Sequence, residues 1–343
     1  MQFVHPSNFT DSEKICYAKF YLKKETSLSI PKTSDALFGT FYHRFIKYIS
    51  SLSRDDKNSY KKINHLWDAK IKELQEKHDY FDLNHIKKLR SIKNHLFKSI
   101  LRSKIVDDRA KKDTSAHREK YIEYNGIKAY IDYLYVDDED ISIGDLKTGN
   151  IFDQNKQIKI EYQNQLYIYA AMYYGRHNIF PNKLFICDNK LNKYYLDIPE
   201  KKLALGLLEK LIEQNKDIQK INSIEDSQNY INLDLENCNY CDGRLSCKSY
   251  WDSSLSKERK YPDLKGIIKK KYRSHNGNCI EILDDLDSNK KRVEQISKYY
   301  MNIINENDNC LILNLYYNEN NDSYKFSEYS SIVKGRSRRA LGN

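Results

Sequence analysis

Between Tyr121 and Thr148 the chain turns from helical spacing to apolar alternation, and this run constrains the fold more than any other feature. Tyr121 to Tyr124, Ile127 to Val136 and Ile141 to Thr148 read as three strands rich in Ile, Tyr and Val. Asn125-Gly126, between the first two, is a strong hairpin signal, because both residue types accept the positive φ of a tight turn. The acidic run Asp137 to Asp140 turns the chain again, giving an antiparallel meander. Alternation also assigns faces. Ile141, Ile143 and Asp145 share one side of the third strand, Gly144 and Leu146 the other, and Lys147 returns to the Asp145 side. Asp132, on the neighbouring strand, sits among residues that should be half-buried. Two carboxylates converging from adjacent strands are costly to bury ionised without a partner, and Mg²⁺ or Mn²⁺ resolves that conflict with hard oxygen ligands. A lysine beside such a metal can orient an attacking water and offset charge developing on a phosphate. Asp132, Asp145 and Lys147 are therefore the candidate residues for hydrolysis of a phosphodiester.

The flanking segments are helical. A short helix is expected around Ser12 to Lys24 with Cys16 inside it, and Ser34 or Asp35 can cap one running through Phe38 to Ile46. Ile86, Leu89, Ile92, Leu96 and Ile100 form an apolar stripe within a charged insertion at about 55–112. Lys159 to Tyr174 reads as a helix with Gln165 and Tyr169 on one face. Lys183 to Cys187 and Lys193 to Ile198 form a strand pair, and Pro199 opens a helix to about Ile221. Beyond Pro262 come two strand-like runs, Cys279 to Leu283 and Cys310 to Tyr317, separated by a helical segment around Lys290 to Ile304. This order implies an α/β protein of the α+β kind, with a mixed sheet flanked by helices.

Composition narrows the partners. No stretch approaches the ~20 apolar residues of a membrane span, and the N-terminus lacks a secretion signal, so a reducing, cytoplasmic location is expected. The formal charge is +10. Lysines and arginines concentrate between Lys87 and Lys112 and in the tail from Lys334 to Arg339. Such patches suit a polyanion, although a lysine-rich solvated helix face in an Asn-, Lys- and Ile-rich chain would look the same. Of the seven cysteines, Cys238, Cys241 and Cys247 cluster. They supply three thiolates, one short of a tetrahedral site. A distant fourth ligand is needed, and Cys16 fits. Cys187, Cys279 and Cys310 lie in apolar strand runs and read as buried small hydrophobes.

The chain resembles the PD-(D/E)XK nuclease superfamily, specifically its RecB-like branch, over roughly residues 5–252. Gly39 to His43 looks like the helical Gly-x-x-x-His motif. Ala129-Tyr130-Ile131-Asp132 resembles the Gly-x-Ile-Asp strand, with Ala129 in place of the usual glycine. Ile143 to Gly149 is close to Val-x-Asp-x-Lys-Thr-Gly, and Gln165-Leu166-Tyr167-Ile168-Tyr169 matches Gln-Leu-x-x-Tyr. Glu119 is a weaker match to an upstream acidic residue. The resemblance implies a restriction-endonuclease-like core in which His43, Asp132, Asp145 and the peptide carbonyl of Leu146 hold Mg²⁺ or Mn²⁺. It also implies that Lys147 is catalytic, with Gln165 and Tyr169 bracing it or contacting the DNA backbone.

The order of one cysteine before the core and Cys-x2-Cys-x5-Cys after it is similar to that of the RecB-like iron–sulfur nucleases: CRISPR-associated exonucleases, AddB-type helicase-nucleases and exonuclease V. It implies a 4Fe–4S cluster on Cys16, Cys238, Cys241 and Cys247 that staples a helical region, with zinc as the other occupant. The expected organisation is a nuclease domain over 1–260, carrying the 55–112 insertion and the 238–247 cysteine cluster, and a C-terminal extension over 261–343 that could dock a protein partner. The expected function is a metal-dependent DNA exonuclease on single strands or ends. The insertion, with Trp67, Tyr80 and Phe97, could guide a threaded strand, or those aromatics could simply pack. The alternative function is a catalytically idle iron–sulfur subunit that binds DNA or organises an assembly.

Overall fold

The computed structural model describes residues 4–9, 15–25, 30, 32–51, 60–77, 89–101, 115–137, 140–239, 241–327 and 329–334. In chain order the longer helices are α1 (Ala18–Glu25), α2 (Ser34–Ser51), α3 (Tyr60–Lys77), α4 (Leu89–Leu101), α5 (Ile160–His177) and α6 (Lys201–Gln219). The strands of the first sheet are β1 (Ser115–Tyr124), β2 (Ile127–Asp137), β3 (Asp140–Leu146), β4 (Lys183–Cys187) and β5 (Lys193–Leu196). The chain divides into two compact units: residues 1–13 with 35–220, and residues 14–34 with 221–343. Among the described residues no helix is long and apolar enough to cross a membrane.

In the first unit the expected hairpin forms, with Asn125 at φ 47° and Gly126 at φ 79°. Buried Ile127, Ala129 and Ile131 alternate with exposed or half-exposed Lys128, Tyr130 and Asp132 along β2. The sheet runs β1-β2-β3-β4-β5. Its first three strands are antiparallel neighbours, whereas β3 and β4 are parallel. A parallel pair needs a long crossover, and α5 supplies it. Leu37, Phe38, Phe41, Tyr42, Phe45, Ile46 and Ile49 give α2 a broad apolar stripe. It packs with Trp67 of α3, Phe97 of α4 and Tyr133, Leu146, Phe185 and Cys187 of the sheet.

That packing decides between the two readings of the insertion's aromatics in favour of simple packing for Trp67 and Phe97. Trp67 and Phe97 are buried, and the Trp67 ring meets Phe41 and Phe45 edge-on at 5.0 Å. Burial of so large an apolar surface outweighs any role for them as an open track for a strand. Tyr80 and Ile86 lie outside the described residues.

The second unit centres on seven strands: β6 (Leu264–Ser274), β7 (Gly277–Asp284), β8 (Lys290–Glu294), β9 (Asn309–Leu313), β10 (Tyr316–Asn318), β11 (Ser323–Lys325) and β12 (Ser331–Lys334). Their order is β10-β11-β8-β7-β6-β9-β12. The period of two gives the sheet two apolar sides. Cys310 and Ile312 of β9 join Ile268, Ile280, Ile282 and Val293 in one cluster. Leu311 and Leu313 join Val333, Cys16, Leu22, Cys238, Cys247 and Tyr250 in the other. Two local expectations change. The segment expected to be helical from Lys290 begins as β8, and only Lys298–Ile303 is helix. Cys16 precedes α1 instead of lying within it, while Ser12 falls outside the described residues.

Candidate functional site

Helix α2 brings His43 to the sheet because Gly39, one turn earlier, lets it approach the turn after β3 closely. A Cβ built on Gly39 would stand 2.9 Å from the Thr148 hydroxyl oxygen. His43 Nδ1 then lies 3.6 Å from Asp132 Oδ2. The same Asp132 oxygen accepts the Leu146 backbone N–H at 2.8 Å, so β2 is tied to the end of β3 through a carboxylate instead of a backbone carbonyl. Burial pulls the His43 pKa down, but the hydrogen bond and charge of Asp132 outweigh it and the net shift is upward.

Asp145 is buried. Its Oδ1 accepts Gln165 Nε2 at 3.0 Å, and its Oδ2 pairs with Lys147 Nζ at 2.8 Å. Lys147 also donates to Gln165 Oε1 at 2.7 Å, and Gln165 Nε2 donates to the Tyr169 hydroxyl at 2.8 Å. Asp145, Lys147, Gln165 and Tyr169 thus form one connected circuit, built by two residues of β3 and its turn and two on one face of α5. Burial pushes the Asp145 carboxyl up to about 6, opposed by Lys147 and reinforced by Asp132. Burial likewise drives the Tyr169 phenol well above its ordinary range, so it stays protonated and serves as a fixed hydrogen-bonding group.

One residue of this neighbourhood has no place in the sequence expectations. Lys147 Nζ stands 4.7 Å from the centre of the Tyr162 ring, a cation–π distance. Tyr162 precedes Gln165 by three positions on α5, and this helical spacing was the available signal.

The donor set fits a hard divalent cation in chemistry. Asp145 Oδ2 is buried and receives no hydrogen bond of good geometry, Asp132 offers a second carboxylate, and His43 a ring nitrogen. Among the described residues no three His, Cys, Asp or Glu already stand at metal-holding spacing. In this arrangement Lys147 and His43 flank the carboxylate oxygens. Glu119 lies on β1 between Arg118 and Lys120, which pair with Tyr133 and Ile131.

In the second unit Cys16, Cys238 and Cys247 are buried in one apolar cluster, and Cys241 is half-buried. Gly243 explains how α1 meets the cysteine loop: a Cβ there would stand 2.9 Å from the Lys19 carbonyl oxygen. Burial pushes the Cys238 thiol up to about 12 and the Cys247 thiol up to about 11. Cys241 is raised too, by burial first and then by Cys16. No three of these described thiols stand at metal-holding spacing, and a bound cation would reverse the preference for the protonated form that burial gives Cys238, Cys241 and Cys247.

Beside this loop is a polar network that sequence reasoning missed. Asp263 Oδ2 accepts Arg244 Nε at 2.9 Å, Arg259 Nη1 at 2.5 Å and the Tyr250 hydroxyl at 2.8 Å. Its Oδ1 accepts the Asn314 backbone N–H at 2.7 Å. The two guanidiniums also donate to the carbonyls of Cys241 at 2.8 Å and Asn239 at 2.6 Å.

Comparison with known proteins gives a family. The sequence matches the PD-(D/E)XK nuclease superfamily over residues 13–248, more than half of the chain. A crystal structure from Eubacterium rectale, named "Putative exonuclease", is similar at 17% identity and a TM-score of 0.26. That match covers 44% of this chain and 60% of the other, so the chain spans little more than half of that protein's length. No curated protein matches the sequence.

Proposed function

Because the chain belongs to the PD-(D/E)XK nuclease superfamily, we propose that it is a RecB-like, divalent-metal-dependent DNA exonuclease acting on single strands or free ends. The observation that carries this is the circuit joining Asp145, Lys147, Gln165 and Tyr169, with Asp132 and His43 beside it. His43, Asp132, Asp145 and the Leu146 carbonyl would hold Mg²⁺ or Mn²⁺. When bound, such a cation supplies Lewis acidity toward the phosphodiester and lowers the pKa of a coordinated water.

The chain's own residues do the rest. Gln165 fixes Asp145 Oδ1 on one side and the Tyr169 hydroxyl on the other, so the carboxylate is oriented before substrate arrives. Lys147 is held between Gln165 Oε1 and the Tyr162 ring. From there its ammonium can donate to a phosphoryl oxygen or orient the attacking water, and it offsets negative charge in the transition state. Preorganisation of this kind lowers the barrier because little rearrangement is left for the reaction.

In the second unit the four thiols of Cys16, Cys238, Cys241 and Cys247 are proposed to hold a 4Fe–4S cluster, with zinc as the competing occupant. The support is their shared unit and the burial of Cys16, Cys238 and Cys247 in one apolar cluster, although Cys16 and the other three come from opposite ends of the family match. The role is structural: a covalent tie between α1 and the 238–247 loop. Residues 261–343 lie beyond the family match and are proposed to carry a docking surface for a protein partner.

The test uses anaerobically purified protein with Asp145→Ala alongside, Mg²⁺ or Mn²⁺, and single-stranded DNA blocked at the 5′ end, the 3′ end or both. Digestion stopped by one block and absent in the variant is the expected result. Cutting retained by Asp145→Ala would refute the site, and cutting of doubly blocked linear strands would refute exonuclease action.

A further inference from the structure

Two tyrosines beside the site are left unused by this chemistry. Tyr130 is 60% exposed and Tyr121 39% exposed. They face each other across the β1–β2 ladder with ring centres 5.4 Å apart. Large aromatics held in the open by a rigid strand pair present π-faces to solvent at no ordering cost, an informative exposure where an exposed Leu would not be.

Their position relates them to the chemistry. The pleat sends Lys128, Tyr130 and Asp132 to one side of β2, while Ile127, Ala129 and Ile131 are buried on the other. Two residues along a strand span about 6.5–7 Å, so the platform begins roughly one nucleotide's reach from Asp132. Its rim is cationic. Lys128 follows on the same face, and Arg176, exposed in the last turn of α5, acts electrostatically on Tyr121. Among the described side chains the acid nearby is Glu123, which accepts the Tyr121 hydroxyl and lies opposite Lys128 across the ladder. Among the described residues strand β1 is the edge of its sheet, so no described strand covers the platform's outer side.

We propose that Tyr121 and Tyr130 form a stacking platform for the bases of single-stranded DNA next to the phosphate positioned at Asp132. This rests on the nuclease function proposed above and deepens it. Duplex DNA hides its base faces in its own stack, whereas a single strand offers them, so the platform selects single strands or frayed ends. Aromatic stacking tolerates every base, as digestion without sequence preference requires.

The experiment measures binding of a fluorescent single-stranded oligonucleotide to the full chain, carrying Asp145→Ala to prevent cutting. Adding Tyr130→Ala should weaken binding roughly five- to hundredfold, the equivalent of one lost stacked base, with a similar loss for Tyr121→Ala. Tyr130→Phe keeps the ring and should restore binding, showing that a π-face and not the hydroxyl is used. A second arm needs no platform variant: a single-stranded oligonucleotide with abasic sites near its ends should bind the Asp145→Ala protein as weakly as the intact oligonucleotide binds the Tyr130→Ala protein. The two losses should also fail to add.

Undiminished binding by Tyr130→Ala, or indifference to abasic sites, would overturn the platform and leave the nuclease assignment standing. Equal loss of blunt-duplex binding in Tyr130→Ala would show contact with a duplex surface and overturn the single-strand selectivity. Absence of any DNA binding by the protein with both tyrosines intact would overturn the nuclease function and this inference with it.

Discussion

Replacing Asp263 with Asn tests what holds the second unit together. Arg244, Arg259 and Asp263 have side chains 3% exposed or less, and one carboxylate oxygen serves both guanidiniums. Asn is the same size and can still accept from one donor, so packing barely changes while the negative charge disappears. Two buried cations are then left without a counter-charge, and removing one partner of a buried pair costs about 3–5 kcal/mol. Against a stability of about 5–15 kcal/mol for an ordinary domain, that is a large fraction. For a unit of this size it corresponds to a melting shift on the order of 10 °C.

The two tryptophans give a clean readout, because Trp67 lies in the first unit and Trp251 in the second. In a Trp67→Phe background, Trp251 fluorescence reports the second unit alone, and urea titration with and without Asp263→Asn gives the difference. A loss below about 1 kcal/mol, the range of exposed pairs, would refute the reasoning, since it would mean that water already solvates both guanidiniums.

Three further outcomes follow from particular contacts. Gly243→Ala places a Cβ 2.9 Å from a backbone oxygen of α1 that cannot swing away, so the second unit should lose about 1–3 kcal/mol; unchanged Trp251 unfolding would contradict this. Asp145 has a folded pKa raised by burial to about 6, so the folded state holds its proton more tightly than the unfolded chain does. Its favourable contribution is complete below the unfolded value near 3.9 and is lost as pH rises through about 6. Metal-free protein should therefore lose stability relative to Asp145→Asn across that window, and parallel pH–stability curves for the two would show that the carboxyl is not perturbed. Cys16→Ser should lower the iron or zinc content per chain of anaerobically purified protein and abolish any cluster absorbance, whereas an unchanged metal count would remove Cys16 from the ligand set.

Much of the first unit was legible because local signals and tertiary demands agree there. The alternation from Ile127 to Leu146, the Asn125-Gly126 turn and the helical spacing of Gln165 and Tyr169 all reappear as β2, β3 and α5. Where they conflict, the sequence misleads. Strand β6 was invisible because Lys269, Lys270 and Lys271 interrupt its alternation, and the structure puts a register shift between Ile268 and Lys270. Strand β8 reads Lys-Lys-Arg-Val-Glu and is carried by its neighbours β7 and β11, not by its own propensity. The joining of residues 14–34 to 221–343 is a long-range packing outcome on which no local period bears. Arg244, Arg259 and Asp263 look like ordinary surface charges in sequence, and only their convergence on Asn314 marks them as buried partners.

That convergence connects the polar network to the thiols. Two guanidiniums share one carboxylate there, so the group carries an excess of buried positive charge, and buried charge that is not offset is expensive. Arg244 reaches the cysteine loop directly, donating to the Cys241 carbonyl and lowering the Cys241 thiol against the burial that raises it. Deprotonated thiolates held by a metal would supply negative charge beside that excess. The two groups then become interdependent: each is unfavourable alone and compensated together. Asp263→Asn should accordingly cost less in metal-loaded protein than in protein stripped by chelation, because the thiolates take over part of the lost carboxylate's role. Equal costs in the two forms, measured by the same Trp251 titration, would show that the arginines and the thiols are electrostatically independent and that the network only fixes the loop's backbone.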